Sequence, residues 1–290
     1  MSRPAAKMGA YIELCKVKVA LLSTFSSATG FFLSARHGEP RVVVVTTGIF
    51  LLACGTSALN QYQERELDAR MERTKKRPVP SGRIEPAHAL WFSLILISSG
   101  MLGLLLTGRL LAPLLGLCAV VWYNGIYTFL KKKSAFAVIP GALVGAVPVA
   151  IGWSTGGGAL HDPALVAISF FFFMWQVPHS WLFILTHGDE YKAAGLPSLT
   201  ALFSEDQLSR INFIWISAVA VSGLLLQESG AVRSDIVKAF LCGLSAWLVW
   251  IGTTLFGGKG KDSGYSFAFR RINAYLFAVL SLLSIDTLFH

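Results

Sequence analysis

Asn60, Glu64 and Asp68 recur every four residues at the end of an apolar run, and Arg73, Lys75, Lys76 and Arg77 follow closely. At 3.6 residues per turn, that spacing sets the amide and both carboxylates on one helix face. Such a row of oxygen donors suits a hard divalent cation such as magnesium, held through Asn60, Glu64 and Asp68. Arg73 and Arg77 suit the phosphate oxygens that such an ion accompanies. A solvated juxtamembrane loop would account for the cations but not for the strict four-residue recurrence. The preceding segment, Val42 to Leu59, reads as a bilayer span. The combination points to catalysis by Asn60, Glu64 and Asp68 on an amphipathic diphosphate at a membrane boundary.

Two other places carry chemistry-bearing residues. In Trp175-Gln176-Val-Pro178-His179, the proline removes a helix N–H and is expected to kink its helix. Gln176 and His179 are polar groups at membrane depth, where such groups face a bundle interior or a wet cavity. His179 either satisfies the carbonyl freed by Pro178 or contacts substrate. Asp189 and Glu190 follow, as oxygens for a second metal or as plain loop charges. The third place is Tyr123-Asn124-Gly-Ile-Tyr127-Thr128 running into Lys131, Lys132 and Lys133. Its polar side chains share neighbouring helix positions and lead to a cation cluster. Lys133 reads as a topology signal, and Lys131 as a candidate phosphate contact. The Phe170 to Phe173 run and Trp175 read as packing or lipid-facing residues, some of which could shield a carbocation.

These residues must be positioned by membrane helices. Of the 290 residues, 54% are hydrophobic and only 14% charged. Apolar runs predict about nine spans, at roughly 17–35, 42–60, 87–107, 110–130, 135–155, 163–186, 211–228, 236–256 and 268–288. With a cytoplasmic amino terminus, one side collects Arg3, Lys7, Lys16, Lys18, the seven basic residues from Arg65 to Arg83, Lys131 to Lys133, Lys192, Arg210, Lys259, Lys261, Arg270 and Arg271. The other side receives Arg36, Arg41, Arg109, Arg233 and Lys238. This bias sets the orientation and explains the net charge of +9 without any nucleic-acid partner. Met1 to Lys18 is polar and basic, unlike a cleaved signal peptide. Cys15, Cys54, Cys118 and Cys242 are scattered, without metal-site or disulfide spacing. The larger loops, around 61–86, 187–210 and 257–267, fall on the cytoplasmic side, where function is expected.

Together these segments resemble the UbiA superfamily of intramembrane prenyltransferases, and within it the branch that farnesylates protohaem IX. Asn60 to Ile84 is similar to that family's Asn-x-x-x-Asp-x-x-x-Asp motif running into Met-x-Arg-Thr-x-x-Arg-Pro. Tyr127 to Lys132, with Pro140 through Pro148 to Trp153, resembles a second family segment, and Trp175 to His179 with Tyr191 to Pro197 a third. Glu64 and Glu190 stand where aspartates are usual, Ser180 replaces a Phe, Val149 a Pro, and Lys16-Val17 a Lys-Pro. The resemblance covers nearly the whole chain. It implies one all-α domain over residues 1–290, a polytopic bundle of about nine transmembrane helices in a bacterial inner membrane. It also implies magnesium as cofactor, farnesyl diphosphate as donor and haem B as acceptor, with other haem-handling membrane proteins as possible partners. Substrate contacts fall at Arg73, Arg77, Tyr127, Lys131, His179, Glu190 and Tyr191, and metal contacts at Asn60, Glu64, Asp68 and, for a second ion, Asp189. The alternatives are a prenyltransferase for another aromatic acceptor, such as a quinone precursor, and, more distantly, a membrane transporter.

Overall fold

A segment that crosses lipid must satisfy its own backbone hydrogen bonds, and runs of about 20 apolar residues do so as helices. The computed structural model describes residues 3–256 and 261–289, and no strand occurs among the described residues. A short helix, α1 (Arg3–Leu14), precedes the first long one, α2 (Val17–Ala35). Then come α3 (Arg41–Gln63), the single turn α4 (Arg65–Asp68), α5 (Pro86–Leu105), α6 (Leu111–Leu130), α7 (Ala135–Thr155) and α8 (Pro163–Thr186). The short α9 (Gly188–Ala193) leads to α10 (Glu205–Glu228), α11 (Asp235–Phe256) and α12 (Lys261–Phe289). Among the described residues, nine of these helices are long and apolar enough to cross a membrane. They match the predicted spans within a few residues, except at the starts of α10 and α12. Helix α10 begins six residues before the predicted 211, because Ser204 and Gln207 form a capping box that recruits the polar turn Glu205 to Arg210. Of the predicted loop around 257–267, residues 257–260, including Lys259, lie outside the described residues, and 261–267 are not loop but the first turns of α12, which begins seven residues before the predicted 268.

Helix contacts are closest where side chains are smallest, as expected between helices that have no hydrophobic drive to associate in lipid. A Cβ placed on Gly100 of α5 would lie 2.6 Å from the Leu52 backbone nitrogen of α3. On Gly152 of α7 it would collide with the Ser27 carbonyl of α2. The largest buried cluster joins α8, α10, α11 and α12 through Phe171, Leu182, Ile216, Leu248 and Tyr275. Outward positions such as Trp91, Ile95, Ile214, Ile236, Phe240 and Phe277 are exposed and apolar, forming a surface suited to acyl chains.

Two local departures from regular helix serve the interior. Helix α6 widens into a π-helix over Val121–Tyr127, the kind of bulge often found at functional sites. Helix α7 is assembled from α and 3-10 turns around Pro140 and Pro148. Helix α8 runs unbroken through Pro178.

Candidate active site

The predicted single face carrying Asn60, Glu64 and Asp68 is built from two elements. Helix α3 ends at Gln63, Glu64 departs from helical geometry (φ −104°, ψ 5°), and α4 restarts at Arg65. The four-residue spacing survives because the Glu64 N–H donates to the Asn60 carbonyl (3.0 Å) and the Asp68 N–H to that of Glu64 (2.7 Å). All three side chains are buried, and all three border one cavity of about 630 Å³.

Each is held by its surroundings. Asn60 Nδ2 donates to Thr128 Oγ1 (3.2 Å), which turns Oδ1 towards the Lys16 ammonium at 3.3 Å. Thr128 in turn donates to the Tyr123 carbonyl within the π-helix (2.9 Å). Asn124 Nδ2 donates to the Thr56 carbonyl and to Gln63 Oε1, both at 3.1 Å, locking α6 onto α3. Arg77 Nη1 reaches both Asp68 oxygens, at 2.8 and 2.7 Å, and Lys131 Nζ lies 2.5 Å from Glu64 Oε1. The loop between α4 and α5 folds back because Thr74 Oγ1 donates to the Asp68 carbonyl (2.9 Å) and Gly82 takes a φ of +71°.

Arg73 extends over the Phe183 ring, 5.0 Å from its centre, and its Nε is buried with no hydrogen-bond partner. Burial raises the Tyr191 phenol above its ordinary value, against the opposing pull of Lys131 and Arg73. Lys16 occupies a left-handed backbone position at the entry to α2 (φ 48°). Its ammonium is pushed down to about 7, first by burial and then by repulsion from Arg77 and Lys131. A site that crowds three cations around two carboxylates is short of negative charge and suits an anion such as diphosphate.

Tyr123 and Tyr127 stack with ring centres 6.0 Å apart and line the cavity together with Lys131, His179 and Tyr191. Away from the polar end, the wall passes to Phe172, Trp175, Val147 and Ile151, so the space is polar at one end and apolar at the other. Gln176 and His179 both border it. His179 bonds through Nδ1 to Asn273 Oδ1 on α12 (2.8 Å), not to the carbonyl that Pro178 leaves free.

Not every predicted residue converges. Asp189 is exposed and lies outside the lining, so the structure does not bring it to Asn60, Glu64 and Asp68; the helical turn of α9 directs it to the surface. Glu190 also stands outside the lining: its Oε2 accepts the Arg73 backbone N–H (3.2 Å) and ties α9 to the Arg73 loop. Lys133 is exposed. Two residues of the site had not been picked out. Lys16 could have been noticed as a lysine at the very start of an apolar span, whereas Asn273 gives no spacing signal.

Among the described residues, no three or more His, Cys, Asp or Glu side chains gather closely enough to hold a metal. The available donors are instead the Asn60 amide oxygen and the Glu64 and Asp68 carboxylates, all hard oxygens at the phosphate-suited end. Magnesium takes one or two carboxylates and completes its shell with water and substrate phosphates, so this set fits that ion.

A helical bundle that joins oxygen donors, clustered cations and an apolar cavity defines an intramembrane enzyme for anionic lipid-like substrates. The chain belongs to the UbiA prenyltransferase family, which matches residues 21–276. A protoheme IX farnesyltransferase of Geobacter sulfurreducens is 40% identical over 219 residues, covering 76% of this chain and 81% of that protein. One of Oleidesulfovibrio alaskensis is 33% identical over 286 residues, with 95% of each chain covered. Among solved structures, a digeranylgeranylglyceryl phosphate synthase superposes with a TM-score of 0.79 at 15% identity, over 98% of this chain and 99% of that one. A UbiA homologue from Archaeoglobus fulgidus bound to GPP and Mg2+ gives 0.69 at 15% identity, over 94% and 99% of the two chains. These neighbours share the fold.

Proposed function

We propose that this enzyme transfers a farnesyl group from farnesyl diphosphate to a vinyl group of haem B, yielding haem O, in a bacterial inner membrane with its amino terminus cytoplasmic. The observation that carries the reading is the single cavity that joins Asn60, Glu64, Asp68, Arg73, Arg77 and Lys131 to an apolar interior bordered by His179. Two well-covered relatives named for this reaction support the choice of donor and acceptor.

The reaction breaks the allylic carbon–oxygen bond, and its electron pair leaves with the diphosphate. The vinyl carbon supplies the electrons for the new carbon–carbon bond, and the cation left beside the porphyrin is quenched by water, which releases a proton. Asn60, Glu64 and Asp68 would hold magnesium, which neutralises the diphosphate and improves it as a leaving group. Arg77 and Lys131, now paired with the two carboxylates, are the cations a diphosphate would draw to itself, exposing the carboxylate oxygens. Arg73 has a buried, unpartnered Nε at the same end and adds charge stabilisation as the bond breaks. The ring faces of Tyr127 and Tyr123 lie beside the cationic end and shield an allylic cation from water. A reading of residues 1–290 as one domain is supported by the packing of the described helices against one another around this cavity.

Mass spectrometry of haem extracted from a host lacking its own haem farnesylation, expressing this chain, tests the reading. Farnesylated hydroxyethyl haem is expected. Its absence, with a prenylated quinone precursor present instead, would move the acceptor to the other aromatic class.

A further inference from the structure

The apolar depth of the cavity holds one imidazole in an unusually fixed position. The His179 ring lies between Trp175, at 4.4 Å between ring centres, and Phe269, at 4.9 Å. Trp175 is itself pinned, because its indole N–H donates to the Ile272 carbonyl (3.1 Å). The His179 Nδ1 lies 2.8 Å from Asn273 Oδ1.

The orientation of the Asn273 amide follows from its other bond. Asn273 Nδ2 donates to the Phe269 carbonyl at 2.7 Å. A backbone carbonyl only accepts, so the NH2 group must face Phe269 and the amide oxygen must face His179. That oxygen also only accepts, so Nδ1 carries the proton. In the neutral ring Nε2 then holds a bare lone pair, and it has no hydrogen-bond partner among the described residues. Turning the ring over would bring a carbon to Asn273 and forfeit the bond.

We infer that Asn273 is a positioning residue that fixes His179 in the Nδ1–H form, so that Nε2 is presented as an axial ligand to the iron of the porphyrin acceptor. The inference rests on the haem reading above. A bare imidazole nitrogen is what iron takes, and a hydrogen-bond acceptor on the other nitrogen fixes the ring and raises its basicity. Ligation at the iron leaves the porphyrin edge free, so the vinyl carbon can meet the allylic carbon. The aromatic clamp and the Asn273 bond are made before the substrate arrives, so little ordering is left for binding.

The test uses the purified full-length protein, titrated with haem B and read by visible absorption and electron paramagnetic resonance, with farnesyl diphosphate binding measured separately. The wild type is expected to give an imidazole–iron signature, and His179→Ala to lose it. Asn273→Leu should weaken haem binding roughly ten- to a hundred-fold, the usual effect of losing such a partner, and blur the signature. Asn273→Asp still accepts the Nδ1 proton, so it should retain the signature and lower the haem midpoint potential. Diphosphate binding should stay unchanged throughout. Unaltered affinity and spectrum in Asn273→Leu would overturn the positioning role. Should that variant not fold, an unshifted potential in Asn273→Asp would overturn it instead. Haem binding by the wild type without an imidazole signature would sink the inference and leave the acceptor reading standing; no haem binding at all would bring down both.

Discussion

Asp68→Asn keeps the shape of the side chain and one acceptor oxygen while removing its charge, so it separates metal and phosphate chemistry from packing. In the structure both Asp68 oxygens face Arg77 Nη1, and the carboxylate is almost fully buried. Breaking a fully buried pair costs about 3–5 kcal/mol. The Arg77 side chain, however, is 21% exposed and borders the cavity, so we expect only about 1–2 kcal/mol of lost stability. The catalytic cost should be larger, because one of the two carboxylates among the described residues that line the cavity is neutralised. A hundred-fold fall in kcat, about 2.7 kcal/mol, is a conservative expectation. The magnesium concentration for half-maximal rate should rise roughly tenfold or more. The assay is transfer of labelled farnesyl from its diphosphate to haem B in lipid nanodiscs across a magnesium series, with thermal unfolding measured in parallel. If Asp68 serves only to pair with Arg77, the variant will melt earlier while rate and magnesium curve stay within about threefold of wild type, and the metal assignment is wrong.

Three other outcomes are expected. Glu64→Asp should retain activity within roughly tenfold, since the carboxylate moves back by one methylene but remains a hard oxygen donor; complete loss would mean that Lys131 and Glu64 need their present spacing. In a cysteine-free background, a membrane-impermeant thiol reagent applied to intact cells should label a cysteine at exposed His161 and not one at exposed Ser81, and the reverse pattern would invert the topology. Gly152→Ala should lower thermal stability by about 1–3 kcal/mol through its collision with the Ser27 carbonyl, with the magnesium response unchanged; an unaltered melting temperature would show that α2 and α7 can separate freely.

How far the sequence reached can be judged residue by residue. Each apolar stretch commits its own backbone to a helix in lipid, so the nine spans were readable locally. The four-residue spacing of Asn60, Glu64 and Asp68 was equally local, and it survived the interruption at Glu64 because the backbone bonds kept their register. Arg77 and Lys131 could be named as cations near those carboxylates. That Arg77 takes Asp68 while Lys131 takes Glu64 depends on how the α4–α5 loop folds against the end of α6.

Tertiary structure alone decided the rest. Asp189 and Glu190 are neighbours of equal charge in sequence, yet one faces outward and the other binds the Arg73 backbone, because a helical turn sends adjacent side chains in different directions. Lys16 enters the site through a left-handed residue between two helices, a backbone choice that its own side chain does not announce. Asn273 meets His179 across 94 residues of chain, in the last membrane helix, where a single asparagine has no pattern to stand out from. Local periodicity fixes which face of a helix is polar, because it follows from the geometry of one backbone. Which faces meet depends on small residues that let helices approach and on hydrogen bonds between distant parts of the chain, and only the folded protein contains those.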